Sequence, residues 1–193
     1  MVKLHLGCNT KKIPGFINVD VVETSATDLV FDLVEINKYI DPTSVDYIYT
    51  CHTLEHLSRH NYFQTLSDLY LILKPNGMLR ISVPDFEAIA RYYVTTGDLN
   101  EIRGTLFGGQ INEYDYHCWT WDFKSLSEDL NKIGFTNIKR YDPFKTEHSG
   151  IRDWSRDFIP RHDKFGKRLP DEEWYRGTLV SLNIEAIKPK DNK

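Results

Sequence analysis

Apolar and polar positions along this chain alternate between a period of two and a period near 3.6. Lys3-Leu4-His5-Leu6 is a short apolar run that stops at Gly7, and Gly15-Phe16-Ile17-Asn18-Val19 leads to an acid, Asp20; each predicts a short strand. Only thirteen positions separate Gly7 from Asp20. A parallel connection usually needs a dozen residues or more besides the second strand, so a loop or one short helical turn is expected there. Val45 to Thr50 is β-branched and aromatic behind the turn signal Asp41-Pro42-Thr43-Ser44, and it predicts a buried strand. Phe63, Leu66, Leu69, Tyr70 and Leu73 then fall at helical spacing, with Ser58 as the expected N-cap and Lys74-Pro75-Asn76-Gly77 as the expected end.

Met78 to Val83 predicts another strand, stopped by Pro84-Asp85, and Phe86, Ile89, Ala90, Tyr93 and Val94 predict a helix after it. Phe123 to Ile133 is amphipathic, opened by Asp122 and closed by Gly134. Asn137 to Tyr141 and Leu179 to Ile187 read as strands with no helix between them, an antiparallel pair at the sheet edge. Strands alternating with helices make this an α/β chain with a mostly parallel sheet. Lys188 to Lys193 reads as a disordered polar tail. The strand Leu179 to Ile187 would allow pairing between subunits, hence a homodimer, although a half-buried edge within one chain fits it equally.

Length and charge narrow the classes. The 193 residues, 40% hydrophobic, support one domain over the whole chain, 1–193. A net charge of −4 gives no global attraction to nucleic acid. Three cysteines without CxxC spacing argue against a disulfide framework and suit a reducing compartment, so a cytoplasmic location is expected. No run of eighteen apolar residues predicts an integral membrane segment.

A strand entering a Gly turn, followed by a strand ending in an acid, is how open α/β sheets hold a nucleoside: backbone approaches the ligand and the carboxylate accepts the ribose hydroxyls. That reading places a cofactor at Gly7 and Asp20. The run Leu4-His5-Leu6-Gly7-Cys8, then Asp20, Asp32-Leu33, His52-Thr53-Leu54-Glu55-His56-Leu57 and Leu73 to Leu79 resembles the ordered motifs of class I S-adenosylmethionine-dependent methyltransferases. More narrowly, Val83-Pro84-Asp85-Phe86, Phe107-Gly108-Gly109-Gln110, Tyr114-Asp115-Tyr116-His117, Thr146-Glu147-His148 and Ser181-Leu182-Asn183 are similar to small methyltransferases encoded among glycan-biosynthesis genes, some in large viruses, where the location would be the host cytoplasm.

The resemblance implies a Rossmann-like seven-stranded sheet, mostly parallel with an antiparallel C-terminal strand, and here with the first crossover helix shortened or missing. It implies S-adenosyl-L-methionine as cofactor, held by Gly7, Cys8, Asn9, Asp20, Val21, Asp32, Leu33, Cys51 and His52. Asp32 reads equally well as a helix N-cap. The family's usual GxG is here Gly7-Cys8-Asn9, and its acid before the glycine is His5.

The implied reaction is O-methyl transfer to a sugar hydroxyl of a glycan or glycan precursor. His117 is the expected base, His148 the second candidate, and Asp85 an orienting or alternative base. Gln110, Tyr114, Tyr116 and Trp119 are the expected acceptor contacts, because aromatic faces and planar polar groups suit a sugar. Glu147-His148 and the Trp154 to Trp174 region, with Arg152, Arg156, Arg161, His162 and Arg168, would make a lid with an anionic handle, or the arginines would only pair with the neighbouring acids Asp153, Asp157 and Asp163. His52, Glu55 and His56 would share a face if a helical turn begins there, a possible triad for a divalent metal with Glu55 and His56 as its first candidates, but no fourth ligand is apparent and a metal is not expected. A small-molecule O-methyltransferase and an inactive methyltransferase-like scaffold are the alternatives. A nicotinamide dehydrogenase is disfavoured by the missing GxGxxG.

Overall fold

The computed structural model describes residues 1–190, so the last three residues of the expected tail lie outside the described residues. Among the described residues, nine strands form two sheets. The strands are β1 (Lys3–Leu6), β2 (Ile17–Asp20), β3 (Leu29–Val30), β4 (Val45–Cys51), β5 (Leu73–Pro84), β6 (Thr136–Arg140), β7 (Phe158–Ile159), β8 (Thr178–Leu179) and β9 (Ser181–Ile187). Seven of them lie in the order β3, β2, β1, β4, β5, β9, β6, with β9 antiparallel to both neighbours; β7 and β8 form a separate antiparallel ribbon. The seven-stranded, mostly parallel sheet with a reversed last strand is the expected fold class.

Alternation along the strands separates two faces. Leu4, Leu6, Ile48, Leu79, Ile81, Val83, Leu182, Ile184 and Ala186 face the main core. There they meet the 3₁₀ turn Leu33–Lys38, α1 (Tyr62–Ile72), and α4 (Phe123–Ile133), through Ile36, Leu66, Leu69, Leu126 and Leu130. Helix α4 starts with the Asp122–Ser125 capping box and ends on left-handed Gly134, as the residue types predict. Two further helices, α2 (Phe86–Thr96) and α3 (Leu99–Phe107), follow β5 and close over β7 and β8 through Ile89, Ile102, Ile159 and Val180.

The other face is covered without crossover helices. No helix lies between β1 and β2 or between β2 and β3. Ile13 and Phe16 of the first connection pack instead on Tyr47, Tyr49 and Cys51, with Ile151 from the long β6–β7 connection beside them. Buried Asn18 organises that connection: its amide oxygen accepts from Ile13 N at 2.8 Å and its amide nitrogen donates to Phe16 O at 3.0 Å and Asp28 Oδ2 at 2.8 Å. The side chain thus satisfies backbone groups that a helix would have satisfied internally.

Three expectations are corrected. Helix α1 starts at Tyr62, not after a Ser58 cap, and stops at Ile72; Leu73 already pairs with Val45, so Leu73 to Gly77 belong to β5 as an irregular entry strand. Strand β9 is not an edge that could pair between subunits, because β5 and β6 flank it, and β6 is the edge. Lys188 is no tail residue: its ammonium donates to the carbonyls of Tyr70 at 2.9 Å and Leu73 at 2.8 Å. No helix among the described residues is long and apolar enough to cross a membrane.

Candidate functional site

The carboxyl ends of β1, β2 and β4 meet at the turn after β1. Gly7 has φ +69°, and a Cβ there would stand 1.9 Å from Thr53 Oγ1, so the glycine is required by Thr53. Thr53 in turn donates toward the carbonyls of Leu6 at 3.3 Å and Cys51 at 3.2 Å, locking the ends of β1 and β4 together. Asp20, half-buried at the end of β2, accepts from Asn9 N at 2.7 Å and Val22 N at 3.0 Å. Those two bonds fix the carboxylate beside the Gly7 turn, and a carboxylate has lone pairs left for two hydroxyls. Val21 is half-buried next to it, and Asn9 is exposed.

Other expected cofactor residues are placed differently. Asp32 is an exposed N-cap, accepting from Val34 N at 3.1 Å, while the Leu33 side chain is buried in the main core. Cys8 and Cys51 are buried, and Cys51 packs among Tyr47 and Tyr49 on the second face. Burial pushes the Cys8 thiol up to about 11, with the Asp20 carboxylate adding to it. Their side chains are packing groups.

His52 begins a polar cluster just beyond β4. Its φ of +48° is unusual for a side-chain-bearing residue and turns the chain into the 3₁₀ turn Leu54–His56. His52 Nε2 lies 3.0 Å from Ser181 Oγ, and Nδ1 lies 3.2 Å from Glu55 Oε1. Glu55 is fully buried, and neither of its carboxylate oxygens receives a directed hydrogen bond from the described residues. Burial pushes its carboxyl up to about 8. Burial also lowers the imidazoles: His52 to about 3, helped by His117 and His56, and His117 to about 4, helped by His56.

His117 comes from 61 residues further along and is held there by backbone pairing. Cys118 N and Trp119 N both bond to Glu55 O, at 2.7 and 3.2 Å, which anchors this segment on the 3₁₀ turn. Gly108, at φ +78°, lets the preceding loop close, since a Cβ there would sit 2.3 Å from Asp115 O. His117 Nε2 ends 4.0 Å from Glu55 Oε1. One ligand atom each from Glu55, His56 and His117 lies within 4.8 Å of the others.

The remaining candidates separate. His148 lies on the second face of the sheet, 4.0 Å ring to ring from Tyr49, and lines a cavity of about 320 Å³ with Lys3, Phe16 and Glu147. It is not in the cluster. Asp85 caps α2 and pairs with Arg140 at 3.1 Å, which occupies both its oxygens. His117, the expected base, lies in the cluster, where burial weakens its imidazole as a proton acceptor. Trp119 stacks on Tyr62 at 5.0 Å and packs against the main core, so it is structural. Gln110, Tyr114 and Tyr116 are exposed on the loop that carries His117. The anionic handle is not formed by Arg161, whose guanidinium is consumed by Asp157 at 2.5 Å, Glu101 O at 3.1 Å and Thr105 Oγ1 at 2.7 Å. Arg152 and Arg168 lie over the Trp174 ring, and Arg156 lies over Phe144.

Two contributors stood in the sequence only as a motif position and a lid position, with no role at the cluster. Ser181 orients His52, and its own hydroxyl donates to Trp154 O at 2.6 Å. Trp154, half exposed with its ring 6.5 Å from that of His52, offers an aromatic face at the mouth of the cluster.

No protein-family model matches the chain, and no curated protein matches it. Solved structures do. A methyltransferase dependent on S-adenosylmethionine from Archaeoglobus fulgidus is similar with TM-score 0.56 and 17% identity, over 96% of this chain and 85% of that one. The 1,6-didemethyltoxoflavin-N1-methyltransferase of Burkholderia thailandensis, solved with S-adenosylhomocysteine, is similar with TM-score 0.56 and 16% identity, over 98% and 71%. An S-adenosylmethionine-dependent methyltransferase from Thermotoga maritima gives TM-score 0.56 and 15% identity, over 97% and 82%. With its reversed strand between β5 and β6, this chain has the fold of the S-adenosylmethionine-dependent methyltransferases.

Proposed function

We propose that this chain is an S-adenosylmethionine-dependent methyltransferase that transfers the methyl group to a hydroxyl oxygen of a polar acceptor, a sugar of a glycan or glycan precursor. The observation that carries the cofactor reading is Asp20, fixed by Asn9 N and Val22 N beside the Gly7 turn at the carboxyl edge of the sheet, where open α/β sheets take ligands. In the reaction the hydroxyl oxygen attacks the sulfonium methyl carbon, the C–O bond forms as the C–S bond breaks, and the electron pair stays on sulfur as S-adenosylhomocysteine leaves. The cofactor supplies the leaving group, so the protein has to align the acceptor and let its proton go. Glu55 with His52, His56 and His117 is where the chain concentrates groups suited to that task. A sugar fits the half-exposed faces of Trp154, Tyr114 and Tyr116 around them.

Isothermal titration with S-adenosylmethionine and S-adenosylhomocysteine tests the cofactor reading, with micromolar binding expected. The variant D20A should lose at least about tenfold in affinity, a difference of about 1.4 kcal/mol. Absence of binding to either compound overturns the reading. Methyl transfer from labelled cofactor to a panel of sugars, phenols and amines then tests the acceptor class, with transfer to a phenol or an amine alone refuting the sugar.

A further inference from the structure

The tautomers of three histidines are set by what each ring nitrogen faces. His56 Nδ1 lies 3.2 Å from Tyr116 O, and His117 Nδ1 lies 2.9 Å from Thr105 O. A carbonyl oxygen can only accept, so both Nδ1 atoms carry the hydrogen and both Nε2 atoms keep a lone pair. His52 Nε2 faces Ser181 Oγ, whose hydrogen is already given to Trp154 O, so His52 donates from Nε2 and turns an Nδ1 lone pair on Glu55 Oε1 at 3.2 Å. Around one fully buried carboxylate without a directed donor, the protein therefore arranges imidazoles in their accepting form. A lone pair facing a carboxyl oxygen at that distance is favourable only with a proton between the two, so an ion that takes the Glu55 carboxylate has to displace that proton.

We propose that Glu55, His56 and His117 are the protein ligands of one divalent first-row metal ion at the acceptor side of the site. The carbonyls of Tyr116 and Thr105 play the part that backbone carbonyls play behind metal-bound histidines, holding the ring and fixing the tautomer. Two imidazoles and one carboxylate suit zinc, iron, cobalt or nickel, and not the all-oxygen sites of magnesium or calcium. Metal bonds near 2 Å require the three ligand atoms, now within 4.8 Å of one another, to draw in by roughly 1 Å, which side-chain rotation can supply. His56 and His117 are only partly buried, so the ion keeps open positions toward the loop that carries Tyr114 and Tyr116. An acceptor hydroxyl on such a position is acidified by the ion, and its proton passes to solvent as the C–O bond forms. That last role rests on the proposed methyl transfer; the binding of the ion does not.

The test is a titration of chelator-treated, metal-free protein with cobalt(II), read by its visible d–d absorption with no methyl donor present. One equivalent per chain is expected, displaced by zinc. The variants E55Q and H117A should bind at least about tenfold more weakly, while H60A, at an exposed histidine outside the cluster, should match the wild type. E55Q replaces a buried carboxyl that has no directed donor with a neutral amide of the same size, so it should fold, and far-UV circular dichroism with a urea midpoint checks that it does. No d–d band in the wild type, or equal affinity in folded E55Q and H117A, overturns the proposal. S-adenosylhomocysteine titrated into the same samples keeps a failure of the metal site distinct from a failure of the cofactor site.

Discussion

Replacing Gly7 with alanine isolates why a glycine stands after the first strand. Two penalties follow from the structure. Alanine at φ +69° costs about 1–2 kcal/mol relative to glycine, whatever surrounds it. The new Cβ would also stand 1.9 Å from Thr53 Oγ1 and 2.6 Å from its Cγ2, an overlap that forces Thr53 or the strand end to shift and costs about 1–3 kcal/mol. G7A should therefore lose about 2–5 kcal/mol. T53A should lose about 1 kcal/mol, the worth of its hydroxyl bond to the carbonyls of Leu6 and Cys51. If Thr53 is the reason for the glycine, the double variant removes the Oγ1 and Cγ2 overlaps but keeps the residue-53 Cβ 2.8 Å from the new one and all of the backbone penalty, so the coupling energy should be at least about 0.5 kcal/mol. Urea unfolding of the four proteins of this cycle, followed by tryptophan fluorescence, measures it. Additive losses, within about 0.3 kcal/mol, would refute the assignment and return the glycine to close approach of a cofactor.

Two further outcomes follow from buried charges. Burial lowers His148 to about 4 against about 6.5 in an unfolded chain, so the unfolded state binds the extra proton between those values. Its contribution to stability is complete above pH 6.5 and falls as the pH drops toward 4, by at most about 3 kcal/mol. H148F should flatten that part of the unfolding free energy between pH 7.5 and 4.5, with the remaining slope including His5, lowered in the same direction; an unchanged slope refutes the assignment. R161A leaves Asp157 buried without its charged partner and removes the guanidinium from Glu101, and should cost about 3–5 kcal/mol, with faster limited proteolysis between residues 160 and 177. Wild-type stability and cleavage rate would show that Arg161 does not tie this segment to α3.

Much of this molecule is legible in one dimension because it depends on local periodicity and on turn chemistry. The alternation of Leu4 and Leu6 with His5, the Asp122 cap and Gly134 stop of α4, and the short span from Gly7 to Asp20 each constrain the chain over a dozen residues or fewer. Those features were enough for the α/β class, the missing first crossover helix and the acid at the end of β2. The end of α1 was not, because Leu73 left the helix to pair with Val45, a partner chosen by the sheet and not by propensity.

The site itself depended on distance in space. Glu55 and His56 share a turn, but His117 joins them only because two backbone amides beyond it bond to the Glu55 carbonyl, and Ser181 reaches His52 from β9. Likewise Gly7 looks like a cofactor glycine until Thr53, 46 residues later, is seen to fill its space. Sequence alone determined the main strands, the amphipathic helices α2 and α4 and the glycine turn after β1, since these follow from short-range backbone geometry. Tertiary structure decided which polar groups meet inside, because burial and long-range pairing set whether a carboxylate is capped, paired or left to hold a cation.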